Sequence, residues 1–119
     1  MGNTELNKPI ALTEFNYYIL VALMQAGDDG LHGYGVLQSI KDVTKGLRNY
    51  ALPSLYEALR AMRDYGMVEL AREESENGRL RKYFRITGVG QKALHRYYDE
   101  SEKIRRSVRR LVPHLKSAD

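Results

Sequence analysis

Apolar and polar positions repeat along this chain with two periods, and the switch between them divides it. Residues 14–26, EFNYYILVALMQA, place Phe15, Ile19, Ala22, Leu23 and Ala26 on one helical face. Tyr17, Leu20, Val21 and Met24 make a second apolar face, and few positions stay polar. A helix apolar nearly all round is buried nearly all round, so one flank is expected to meet something besides its own domain. Thr13 is the expected N-cap, and Glu14 suits the positive end of the helix. GDDG at 27–30 reads as a turn. A second helix is expected over 33–44 with Tyr34, Leu37, Ile40 and Val43 inward, followed by the loop KGLRNY at 45–50.

A third helix is expected from Pro53 to Gly66. Leu55, Ala58, Leu59 and Met62 form its stripe at i, i+3, i+4 and i+7. Proline is tolerated in a first turn, where its missing N–H would be unpaired anyway, and glycine ends helices. Leu52, at the expected cap position, is a poor cap. The period then becomes two. Val68 and Leu70 alternate with Glu69 and Ala71, and Phe84 and Ile86 alternate with Tyr83 and Arg85. Asn77-Gly78 between them is a hairpin turn signal. Thr87 is the expected cap of the last helix. There Leu94, Tyr97, Ser101, Ile104, Val108, Leu111 and Leu115 form a heptad seam with one polar member, and Pro113 should end the helix. From residue 89 to 112 it would run roughly 36 Å, too long for a three-helix core to cover.

The order helix, helix, helix, hairpin, long helix is that of a winged helix-turn-helix followed by a dimerisation helix: mainly α with a small β-hairpin. The expected division is an N-terminal arm at 1–12, the winged unit at 13–87 and the C-terminal helix at 88–119.

Composition narrows the function. The 119 residues contain 43% hydrophobic positions, which suits one folded domain, and no cysteine, which excludes disulfides and thiolate metal sites. No apolar run approaches bilayer length and the N-terminus is polar, so no membrane partner and a cytoplasmic location are expected. The formal net charge is +4 and the pI about 9.4. Residues 1–30 carry one lysine against four acids; residues 31–86 carry ten Lys/Arg against seven, and residues 87–119 eight against four. The positive charge therefore lies beyond the first helix, where it permits a nucleic-acid partner. His32, His95 and His114 lack metal-helix spacing, and His32 reads as a turn or cap residue. No phosphate loop, nucleophile elbow or paired-carboxylate motif stands out, so neither catalysis nor a cofactor is expected.

The third helix has a side its core does not need: Ser54, Tyr56, Glu57, Arg60 and, at the edge, Arg63. Hydroxyls near a helix start can bond phosphate, and an arginine can reach a guanine edge. Asn49 and Tyr50, just before it, are candidate backbone contacts. Arg79, Arg81 and Lys82 beside Gly78 are candidate wing contacts to phosphate or the minor groove. Lys41, Lys45 and Arg48 are weaker candidates. A solvated helix face and a soluble hairpin tip are the plain alternatives, and Glu73, Glu74 and Glu76 favour the latter. Phe15 and Ile19 of the first helix, with Leu94, Tyr97, Ile104, Val108 and Leu111, are the expected dimer interface. Phe15, Asn16 and Tyr18 with Tyr97, Tyr98 and Ser101 are the candidate lining of a pocket for a small aromatic or apolar effector.

Three stretches also resemble the PadR family of bacterial transcriptional regulators. GLHGYGVLQSI (30–40) is similar to the opening of that family's second helix, LPSLYEALRAMRDYGMVE (52–69) to its recognition helix, and GRLRKYFRITGVG (78–90) to its wing and last-helix cap. The likeness runs over roughly residues 13–112 in order and spacing. It implies a homodimeric repressor of the compact subgroup, bound to a double-stranded DNA operator. The last helix of each subunit would pack on the first helix of the other, and flat apolar compounds would bind between them. The rival readings are a winged-helix module that docks other proteins and leaves DNA alone, and a small-molecule carrier or enzyme that uses the space between the helices.

Overall fold

The computed structural model describes residues 12–115. Four helices and one hairpin follow in order: α1 (Glu14–Ala26), a 3-10 turn (Gly27–Asp29), α2 (Gly33–Val43), α3 (Leu52–Asp64), β1 (Val68–Glu76), β2 (Arg79–Ile86) and α4 (Gly88–Leu111). The expected arm, apart from Leu12, lies outside the described residues, as does the end of the chain beyond residue 115.

Each boundary has a local cause. Thr13 Oγ1 accepts the Asn16 N–H at 3.0 Å and starts α1. His32 caps α2 through its ring, and Thr87 caps α4 by accepting from Gly90 N–H at 3.1 Å. α3 begins one residue earlier than expected: Leu52 is helical, Ala51 holds the cap position, and no side chain caps it. Its other end is closed by Gly66 in the left-handed region at φ 75°. The Gly66 N–H donates to Arg63 O and the Met67 N–H to Met62 O, both at 2.9 Å, which satisfies two terminal carbonyls.

α1 is the hub of the core. Ile19, Leu20, Ala22 and Leu23 are fully buried among Val36 and Ile40 of α2, Leu55, Leu59 and Met62 of α3, and Phe84, Ile86 and Leu94. The inward face of α2 differs from the expected one. Val36 is buried, whereas Tyr34 is 65% and Val43 40% exposed. Tyr34 and Val43 are nine residues apart, about 180° round a helix, so no single face holds both.

The hairpin pairs antiparallel from Val68↔Ile86 to Glu76↔Arg79, with a bulge at Ala71. Asn77 and Gly78 have φ of 52° and 76°, as the mirror-image two-residue turn requires. Leu31 extends the sheet: its N–H donates to Phe84 O at 2.9 Å and its carbonyl accepts from Phe84 N–H at 2.8 Å. This bridge ties the start of α2 to the wing. Gly30, at φ 78°, lets the chains close, since a Cβ there would sit 2.6 Å from the Phe84 carbonyl.

α4 leaves the core partway along. The radius of gyration is 16.4 Å, against about 13 Å for a compact chain of this length. Leu94 belongs to the core and Tyr97 stacks on Tyr17 of α1 with centroids 4.5 Å apart. Beyond them Ile104 is 65% and Leu111 72% exposed. This corrects two expected interface residues. Ile19 is fully buried and Leu94 nearly so within their own chain, so neither is free to meet a partner. Both lie on faces expected to meet a partner, but the three-helix core claims that part of each face first.

Candidate nucleic-acid interface

The outward side of α3 and the wing face each other across a cleft of about 490 Å³. Tyr56, Arg60 and Arg63 line it from α3, and Arg79, Leu80, Arg81 and Lys82 from the wing. His32 and Tyr34 close its third side from the start of α2, and Leu59 and Phe84 lie at its floor. Six of the nine residues expected to meet DNA are thus assembled in one place. The other three lie off it. Ser54 and Asn49 are exposed outside the lining. Tyr50 is half-buried with its ring stacked on Phe15, centroids 3.9 Å apart, so its first role is packing.

The cleft lining holds five arginine or lysine side chains and no carboxylate. Glu69 pairs with Arg85 at 2.7 Å and Glu74 with Arg72, both outside the cleft lining, while Glu76 pairs with the cleft's own Arg81 at 3.3 Å. Among the described residues, Arg60, Arg63, Arg79 and Lys82 take part in no ion pair. The Arg63 guanidinium lies 5.9 Å from the centre of the Phe84 ring, which holds it to the cleft floor. Clustered cations without internal partners raise the local potential and favour a polyanion. Arg48, a weaker candidate, is instead committed to Glu14 at 2.7 Å, and that bond holds the Glu14 carboxyl below its ordinary range.

His32 and Tyr34 are cleft residues that the periodicity did not reveal. The i+3 series that points Tyr34 inward drifts round the helix, and Tyr34 is exposed. His32 is the cap it was expected to be. Its Nδ1 accepts from Gly35 N–H at 3.2 Å, and its Nε2 lies 3.2 Å from Nη1 of Arg81. Burial, then the Arg81 charge, pushes its pKa below the ordinary 6.5.

Within one chain the expected effector residues Phe15 and Tyr97 meet different partners. Phe15 turns to Tyr50, on the flank of α1 away from α4. Tyr17, absent from the expected set, is the residue that meets Tyr97. Among the described residues no group of His, Cys, Asp and Glu could hold a metal ion, and no helix is long and apolar enough to cross a membrane.

Three helices, a hairpin wing bridged to the second helix, and a cleft shared by the third helix and the wing define a winged helix-turn-helix protein. The chain belongs to the PadR-like family of transcriptional regulators, whose model matches residues 19–96. The members of this family are regulators, not enzymes. Solved structures agree in fold. A transcriptional regulator of Thermoplasma acidophilum is 23% identical with a TM-score of 0.63, over 85% of this chain and 90% of its own. A PadR family transcription regulator of Clostridium difficile is 19% identical with a TM-score of 0.66, over 84% and 99%. MepR of Staphylococcus aureus, solved in complex with DNA, is 17% identical with a TM-score of 0.52, over 89% and 66%. No curated protein sequence matches the chain.

Proposed function

We propose that this chain is a sequence-specific DNA-binding repressor that acts as a homodimer. The observation that carries this reading is the cleft: the polar side of α3 and the cations of the wing converge there with no carboxylate among them. α3 would enter a major groove, with Arg60 reaching a base edge and Tyr56 a phosphate. Arg79, Arg81 and Lys82 would follow the adjacent backbone. That MepR, of similar fold, has been solved in complex with DNA supports a DNA partner. Repression, rather than activation, follows from the resemblance to the PadR family.

The dimer reading rests on the distal part of α4. Ile104, Val108 and Leu111 are exposed on a stretch of α4 whose other residues from 102 to 110 are all charged but for Ser107. Pairing through this seam would hold two α3 helices at a fixed spacing. A spacing of about 34 Å suits successive major grooves on one face of a duplex. A flat apolar effector lying beside Tyr17, Tyr97 and Tyr98 would weaken DNA binding only by preferring a different spacing of the two heads.

Selection of bound fragments from genomic DNA, followed by footprinting, tests the proposal. The expected result is an inverted repeat with two protected half-sites one helical turn apart. Failure to enrich any sequence would count against it, and a single protected half-site would count against the dimer.

A further inference from the structure

The His32 imidazole stands where the helix-turn-helix meets the wing, and each ring nitrogen faces a donor. Nδ1 lies 3.2 Å from the Gly35 backbone N–H, which belongs to the first turn of α2. Nε2 lies 3.2 Å from Nη1 of Arg81 on β2. A neutral imidazole has one in-plane lone pair, and a guanidinium only donates. Two donors therefore compete for one acceptor, and the helix cap and the wing arginine cannot both be satisfied at once.

The ring is not free to turn away from this conflict. Tyr83 meets it edge-on with centroids 5.3 Å apart and planes at 88°. Tyr83 is covered on its own face by the Arg72 guanidinium at 3.8 Å, and Arg72 Nε donates to the Asp29 carbonyl at 3.3 Å. With the ring fixed, what can move is the ring proton between nitrogens, or Arg81. Arg81 has a second contact, Glu76 at 3.3 Å, so it sits bracketed between the hairpin tip and His32. Its side chain is 42% exposed and can leave.

We infer that His32 is a positioning residue for the wing: its one lone pair is shared between Gly35 and Arg81, and passes wholly to Gly35 when Arg81 moves to a DNA phosphate. The inference rests on the DNA-binding reading above. In the free protein the imidazole parks Arg81 at the cleft wall. In the bound protein the lone pair on Nδ1 caps α2, and the proton on Nε2 points into the cleft that the phosphate enters. Arg81 thus leaves without orphaning either nitrogen, and the wing's departure from His32 firms the start of α2. Burial of the ring and the Arg81 charge keep the imidazole neutral, as this exchange requires.

The test uses the full chain labelled with 15N-histidine, with the His32 signals assigned through His32→Asn. In the free wild type the two ring nitrogens should show shared protonation. In Arg81→Ala they should show protonated Nε2 and bare Nδ1, and adding an operator duplex to wild type should give the same change. Identical His32 spectra in free wild type and Arg81→Ala would overturn the sharing. Asparagine also caps helices, so His32→Asn should melt close to wild type while losing the hold on Arg81. The contact with Arg81 exists only in the free protein and opposes binding, so DNA affinity should rise roughly twofold to tenfold, the scale of one net hydrogen bond. In an Arg81→Ala background the same substitution should change nothing further. A fall in the wild-type background, or an equal change in both, would overturn the positioning role. If wild type binds no duplex, the DNA-binding reading fails, while the spectra of the free proteins still decide whether the lone pair is shared.

Discussion

The two halves of α4 share one seven-residue repeat yet present different surfaces. Leu94 lies in the core and Tyr97 stacks on Tyr17, whereas Ile104, Val108 and Leu111 face solvent. The chemistry of the seam hardly changes between them. What changes is the height of the core beside it. α1, with 13 residues, is about 20 Å long, and α4, with 24, about 36 Å. Among the described residues no other helix covers Ile104, Val108 or Leu111. A repeat in sequence therefore says that a helix has an apolar side, and the lengths of its neighbours decide whether that side is core or interface.

This contrast can be broken most severely at the distal half. Ile104→Asp with Val108→Asp should convert a dimer to monomer in sedimentation, because each unpaired charge buried at an interface costs roughly 3–5 kcal/mol. The melting of the winged unit should barely change, since both positions are solvent-facing in one chain. An unchanged dimer mass would place the interface elsewhere. Next in size is Leu94→Ala, expected to cost about 2–4 kcal/mol in denaturant unfolding by opening a cavity in the core. Leu111→Ala should cost less than about 0.5 kcal/mol under dilute, monomeric conditions. Equal losses at the two positions would erase the distinction between the halves.

Smaller effects sharpen the reading head. Arg60→Ala should weaken operator binding and relax preference at one base pair by about 1–3 kcal/mol, measured by anisotropy against operator variants. An equal loss on operator and random duplex would mean that Arg60 touches phosphate. Smallest is Glu14→Gln. The Arg48 bond lowers the Glu14 pKa, so its stabilisation is present above the ordinary value of 4.5 and is lost as pH falls through the lowered one. Both side chains are about half exposed, and the effect should be a slight drop in melting temperature at pH 7 that disappears in acid.

Much of this architecture was legible in the chain because its signals are local. Thr13 and Thr87 as caps, Gly66 as a stop, Asn77-Gly78 as the turn and the change from a helical to a two-residue period each rest on a few adjacent residues. The misreadings share a cause. An i+3 series points Tyr34 and Val43 inward, but it drifts round the helix and leaves both exposed. Ile19 and Leu94 share faces with half-buried or exposed positions, but a face is not one surface along its whole length, and the core buries both. The cleft was legible as two charged stretches, α3 and the wing, but their meeting depends on the Leu31–Phe84 bridge, which pairs residues distant in sequence. Nothing local in LHGYG marks His32 as a neighbour of Arg81, 49 residues on.

The central claim is that the cleft between α3 and the wing takes up the backbone of double-stranded DNA. The most direct measurement is the affinity of the purified protein for a duplex across a series of salt concentrations. Each phosphate neutralised adds about −0.9 to the slope of log affinity against log salt. With five cleft cations in each protomer, a dimer should show a slope of roughly −5 or steeper, and Arg79→Ala with Lys82→Ala should flatten it by about 2 to 4. A flat salt profile, or no binding to duplex at low ionic strength, would contradict it.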